Sequence, residues 1–211
     1  MTTYLVGLDR DNTLIHDPGF FGRDANWREQ LKILPTVVDG IKLLREDPRI
    51  KIIVATNQAG VARGYYPRER VDETNTAVAR ALKEQGIELD GWYSCNYVGR
   101  SYAEEKGVSL DNPFVKDTPL RKPGIGMLQE AARDLGLDWG ELVANKRIYF
   151  IGDKSSDVET ALNANGTGIL VPSPESDKER VQMLKEGYGE IYITTNFLHA
   201  CMLIRKQIPP N

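Results

Sequence analysis

Two aspartates one residue apart, in Asp9-Arg10-Asp11-Asn12-Thr13, follow directly on an apolar run. Like charges this close repel unless a cation lies between them. Hard divalent cations such as Mg²⁺ take oxygen ligands and keep several waters. A polar turn is the competing reading, and Asn12 suits one because Asn tolerates positive φ. A second group, Thr56-Asn57-Gln58-Ala59-Gly60, offers a hydroxyl, two amides and a glycine. Such a mouth suits phosphate oxygens, or caps a following helix. In Gly152-Asp153-Lys154-Ser155-Ser156-Asp157, two acids four residues apart could face one site where a helix opens. Helix capping explains one of them, not two acids flanking a lysine. The fourth group is Arg121-Lys122-Pro123. It precedes a helical pattern, where a basic pair gains nothing from the macrodipole, so an anionic partner competes with a solvated surface. Pro123 is expected in that helix's first turn. Together the four groups supply acids, donors and a lysine.

These groups need elements that bring them together. Short runs rich in β-branched and aromatic residues predict strands at Tyr4–Asp9, Lys51–Asn57, Trp92–Cys95, Arg147–Gly152, Gly168–Val171 and Glu190–Thr194. Helical spacing predicts helices after Pro35-Thr36 and Pro67, over Met127–Leu135 and Val158–Ala164, around Val181 and Leu184, and over Phe197–Ile204. Strands alternating with helices imply right-handed crossovers and a mostly parallel, Rossmann-like sheet with helices on both faces: a three-layer α/β fold. In such sheets ligands bind beyond the carboxyl ends of the strands, where all four groups fall. The aperiodic stretches 15–32 and 96–122 are read as long loops over the site, within one domain spanning 1–211.

The chain has 211 residues, 41% hydrophobic and 27% charged, with net charge −3. That composition excludes a disordered chain or a disulfide scaffold, and argues against a nucleic-acid-coating surface. No apolar run is long enough for a membrane span. Met1-Thr2-Thr3-Tyr4 carries no basic region, so no secretory leader is expected. Cys95 and Cys201, the only cysteines, fit a reducing cytoplasm.

The order DxDxT, TNQ, RKP, GDxxxD resembles the haloacid dehalogenase (HAD) superfamily of aspartate-nucleophile phosphatases. Thr56–Gly64 is similar to the TNQSGIARG stretch of D-glycero-D-manno-heptose-1,7-bisphosphate 7-phosphatases. Glu88–Cys95 is similar to their DLDGIYYC, and Arg121–Leu128 to their RKPxPGML. The likeness runs from about Leu5 to Val171, and histidinol-phosphate phosphatases are the sister group. The resemblance implies a HAD-like fold without a separate cap domain. Asp9 is then the nucleophile, and Asp11 the acid and base. Mg²⁺ is held by Asp9, the Asp11 carbonyl and Asp153, with Asp157 behind them. Thr56 and Lys122 bind the transferred phosphoryl group. Arg121, Lys154 and Arg63 are implied substrate-holding residues; Asn57, Gln58, Ala59 and Asp17-Pro18-Gly19-Phe20 line a sugar pocket. Phe20 stands where the family has Tyr.

Relatives often carry a structural zinc on a Cys-x-His and a Cys-x-Cys pair. Here Cys95 stands first, but Tyr97, Thr118 and Leu120 hold the other positions. One ligand of four cannot hold zinc, so none is expected. The implied substrate is a small phosphorylated sugar, most simply the heptose 1,7-bisphosphate cleaved at position 7, with histidinol phosphate as the alternative. A nucleic-acid 3′-phosphatase shares DxDxT and TNQ, but neither the charge nor a basic-aromatic strip supports it. A non-catalytic scaffold is at odds with retention of Asp9, Asp11, Thr56, Lys122 and Asp153. A monomer acting on a small molecule is expected, with neither nucleic acid nor membrane as partner.

Overall fold

The run Tyr-Leu-Val-Gly-Leu is buried throughout, as a strand between two helical layers must be, and forms β1 (Tyr4–Leu8). The structure is a computed structural model and describes residues 2–177, 180–182, 184, 187 and 190–210. The other strands are β2 (Ile50–Asn57), β3 (Gly91–Cys95), β4 (Ile148–Gly152), β5 (Thr167–Leu170) and β6 (Ile191–Ile193). Each begins and ends within one residue of the expected position. They form one sheet of order β3-β2-β1-β4-β5-β6, parallel at every pairing.

The helices whose every residue is described are α1 (Trp27–Gln30), α2 (Val37–Arg45), α3 (Ala59–Ala62), α4 (Arg68–Lys83), α5 (Arg100–Lys106), α6 (Gly126–Asp134), α7 (Trp139–Ala144), α8 (Ser155–Asn163) and α9 (Phe197–Gln207). Val181 and Leu184, expected on a helix, pack with Val158, Leu170 and Ile191; residues 178, 179, 183, 185, 186, 188 and 189 lie outside the described residues.

Alternation along β1 divides the core. Tyr4, Val6 and Leu8 face a layer built by α2, α4 and α9, through Ile41, Leu44, Val78, Leu82, Phe197 and Ile204. Leu5 faces the opposite layer with Ile53, Phe150 and the α6 residues Met127, Leu128 and Ala131. Gly7 points the same way: a Cβ there would lie 2.6 Å from the Phe150 ring. The helices thus cover both faces, giving the three layers expected.

Three expectations are corrected. The stretch 96–122 is not all loop, for it holds α5, ended by Gly107 in the left-handed region (φ 67°). The stretch 15–32 holds the short α1. Pro123 does not enter a helix: Gly124 N donates to the Arg121 carbonyl in a tight turn, and α6 starts only at Gly126. Near the end of the chain, Cys201 is buried, and His199 is exposed with its Nδ1 facing the Thr195 hydroxyl.

Candidate active site

Register brings the four groups together. Leu8 pairs with Val54 on one side and with Ile151 on the other, so Asp9, Thr56 and Asp153 stand at nearly the same level, although β2 itself runs on to Asn57. Strand order reverses at β1 and β4, which opens a crevice beyond their carboxyl ends. A cavity of about 350 Å³ lies there. Asp9, Asp11, Thr56, Gln58, Lys122, Asp153 and Asp157 line it, as do Asp17, Gly19, Phe20, Asn57, Ala59, Arg121 and Lys154.

Its floor is a buried ionic cluster. One carboxylate oxygen from each of Asp9, Asp153 and Asp157 lies within 4.8 Å of the others. Lys122 Nζ bridges Asp9 Oδ1 at 2.5 Å and Asp157 Oδ1 at 2.6 Å. Burial pushes the Asp9 carboxyl up to about 8; the Lys122 ammonium opposes this, and Asp157, Asp11 and Asp153 add to it. Burial and then Asp157 push Asp153 up to about 6, opposed by a 2.7 Å bond from Ser173 Oγ. Three buried carboxylates around one ammonium leave surplus negative charge, and their oxygens suit a hard divalent cation. Asp157 is already engaged at both oxygens, Oδ1 by Lys122 and Oδ2 by the Lys154 N–H at 3.0 Å. Asp9 Oδ2 and Asp153 Oδ1 have no hydrogen-bond partner among the described residues.

The neighbouring groups hold this floor in place. Asn57 clamps the Lys122 backbone, donating from Nδ2 to its carbonyl (3.1 Å) and accepting its N–H at Oδ1 (3.0 Å). Gln58 Nε2 donates to Thr56 Oγ1 (2.9 Å) and to Asp11 Oδ2 (2.8 Å). Asp17 closes the Gly19-Phe20 turn by accepting the N–H groups of Gly19 and Phe21. Phe20 adopts a positive φ of 63° there. Arg121 donates to the Tyr97 carbonyl (3.2 Å) and stacks over Tyr102. Among the described residues it has no carboxylate partner.

Two expected pocket residues lie elsewhere. Pro18 is exposed and does not line the cavity. Arg63 stacks on the rings of Phe20 and Tyr65 at 5.0 and 4.9 Å, so it reaches the cavity only by backing Phe20. Sequence reasoning missed Asn12, Tyr66, Tyr102, Ser156 and Glu175 on the lining, and Ser173 behind Asp153. The available signal was the run Val171-Pro172-Ser173 leaving β5 at the same level as Asp153.

The chain is similar to the D-glycero-beta-D-manno-heptose-1,7-bisphosphate 7-phosphatase of Yersinia pestis, with 32% identity over 168 residues, 79% of each protein. This chain belongs to the haloacid dehalogenase-like phosphatases. The HAD-hydrolase-like family model matches residues 119–196, which carry Lys122, Asp153 and Asp157. The Histidine biosynthesis bifunctional protein HisB of Stenotrophomonas maltophilia is 30% identical over 79% of this chain, which spans only about 40% of that relative's length. The solved D,D-heptose 1.7-bisphosphate phosphatase of B. bronchiseptica, complexed with magnesium and phosphate, shares the HAD-like fold. Its TM-score is 0.70 at 21% identity, over 98% of this chain and 100% of that one.

Proposed function

We propose that the protein is a Mg²⁺-dependent phosphoric monoester hydrolase acting on a small phosphorylated sugar, the 7-phosphate of D-glycero-D-manno-heptose 1,7-bisphosphate being the favoured substrate. The observation that carries this reading is the Asp9–Lys122–Asp157 bridge beside Asp153 on the cavity floor. The likeness to the Yersinia pestis heptose phosphatase over most of both chains supports the substrate.

Asp9 attacks phosphorus in line, and the bond to the sugar oxygen breaks as Asp11 passes it a proton. Water then attacks the aspartyl-phosphate and gives its proton to Asp11, which releases inorganic phosphate and restores both carboxyl groups. Thr56 and Lys122 bind the phosphoryl oxygens. Asp9, the Asp11 carbonyl and Asp153 would hold Mg²⁺, which when bound neutralises charge on the transferred group. Asp157 fixes Lys122 instead of adding a ligand, consistent with both of its oxygens being taken. Arg121 and Lys154 meet the remainder of the substrate, over a wall of Asp17, Gly19, Phe20, Asn57, Gln58 and Ala59. The chain acts as one catalytic unit, a cytoplasmic monomer, with segments 15–32 and 96–122 above the cavity.

A substrate panel tests this. The heptose bisphosphate anomers are expected to give the highest kcat/KM, above histidinol phosphate and far above a 3′-phosphorylated oligonucleotide. A preference for histidinol phosphate would move the assignment to the sister group while leaving the chemistry in place.

A further inference from the structure

Arg10 lies between the two aspartates of the mechanism, and the steps above give it no task. It is fully buried (0% exposed). By the alternation of β1, position 10 faces the α4 side, opposite to position 9. There its Nη1 donates to Thr74 Oγ1 and to Asn75 Oδ1, both at 2.8 Å. Asn75 is held in turn by its own bond to Ser94 Oγ on β3 (2.9 Å). The remaining edge of the guanidinium grips Asp11, Nε to Oδ1 at 2.9 Å and Nη2 to Oδ2 at 3.0 Å. Gln58 Nε2 supplies a second bond to Oδ2, its amide oriented by the Tyr66 hydroxyl on Oε1 (3.0 Å).

A carboxylate offers about four lone-pair positions. Arg10 and Gln58 fill three of them: one on Oδ1 and both on Oδ2. The fourth, on Oδ1, belongs to a side chain that lines the cavity and is one-fifth exposed. A buried arginine is costly unless its donors are used, and a core position alone would be filled as well by an apolar residue.

We propose that Arg10, anchored on α4 by Thr74 and Asn75, is the positioning residue for proton transfer, clamping Asp11 so that the proton travels on Oδ1. This rests on the phosphatase reading with Asp11 as donor. As the P–O bond breaks, Oδ1–H gives its proton to the leaving alkoxide. Oδ1 recovers a proton from the water that attacks the aspartyl-phosphate. A bidentate fork is needed for this, since an ammonium would hold the carboxylate at a point and leave it free to rotate.

Leaving-group dependence tests the clamp. Nitrophenolate departs without a proton, whereas an alkoxide needs one. Thr74→Val and Asn75→Ala each remove part of the anchor while keeping Arg10 and both aspartates. Each is expected to lower kcat/KM for an alkyl phosphomonoester about 10- to 100-fold, and for p-nitrophenyl phosphate by less than roughly threefold. Arg10→Lys should show the same split. The ratio of the two esters does not depend on the fraction of protein folded, so a partly unfolded variant still answers. Equal losses on both esters, or no loss on either, would overturn the proposal. Asp11→Asn serves as the reference, with an expected split of about 10²–10⁴. Should Asp11→Asn show no split, the proton-donor reading itself fails; should it show one while the anchor variants do not, only the role of Arg10 fails.

Discussion

Lys122 Nζ touches two carboxylates, so Asp9 has an ionic partner before any phosphate arrives. Asp9→Asn keeps the side-chain volume and an acceptor for Lys122 but removes the carboxylate proposed as nucleophile. It is expected to abolish turnover with an unchanged circular dichroism spectrum; substantial residual activity would contradict the aspartyl-phosphate route. Gly152 carries a less obvious demand. A Cβ there would run into the Asp157 side chain. Gly152→Ala should therefore displace Asp157 from Lys122, lowering stability by about 1–3 kcal/mol and reducing kcat, measured by thermal melts and steady-state assay. Arg121 has no carboxylate partner among the described residues and is free to grip a second anionic group. A charged contact of about 1.5–3 kcal/mol corresponds to roughly 10–150-fold. Arg121→Ala should cost a sugar bisphosphate that much in kcat/KM and its monophosphate analogue far less. Equal losses would assign Arg121 to the reacting phosphoryl group.

At the scale of elements, strands were legible and several helices were not. Each strand carries its own apolar run, so its position follows from local composition. Asp9, Thr56 and Asp153 follow because each stands where such a run ends. α7 was missed although its cap is written locally: Asp138 accepts the Glu141 N–H at 3.0 Å. α5 was missed because its surface is largely polar, with Ala103 its one buried residue. The partners of Arg10 were illegible for another reason. Period-two alternation predicts the face it takes, but Thr74 and Asn75 lie 64 and 65 residues away. The docking of α9 is equally non-local. Asp47, at the end of the α2 segment, accepts from Arg49 (2.9 and 2.8 Å) and from Arg205 on α9 (2.6 Å). Those arginines hold its carboxyl well below the usual carboxylate range. A depressed folded-state pKa adds stability above the unfolded value of about 3.9, and that stability is lost as pH falls through the folded value. Asp47→Asn should thus lower urea-measured stability by about 1–3 kcal/mol at pH 7, with the gap from the parent protein shrinking progressively below pH ~4. A gap of constant size across that range would show that packing, not charge, secures α9.

The whole molecule gathers surplus negative charge into the cavity that is to receive an anion. On the proposed reading, chelator should abolish activity and added Mg²⁺ restore it, since a phosphate would otherwise face Asp9, Asp153 and Asp157 with one buried ammonium between them. Elemental analysis of protein purified without chelator is expected to find no stoichiometric zinc, given Tyr97, Thr118 and Leu120 at the other three ligand positions; about one zinc per chain would contradict that. The sheet order has a further consequence, for the timing of assembly. Lys122 and Asp9 are 113 residues apart, and the strand that brings Asp153 and Asp157 to them is β4, which must lodge between β1 and β5. Parallel pairings between distant segments are slow to close, because the entropy of the intervening loop is lost before any contact repays it. A chain that has formed only β1, β2 and β3 owns Asp9 and Thr56, yet lacks the carboxylates of Asp153 and Asp157. During refolding, hydrolytic activity should therefore return only with the last large drop in exposed apolar surface, which makes turnover a reporter of the finished sheet.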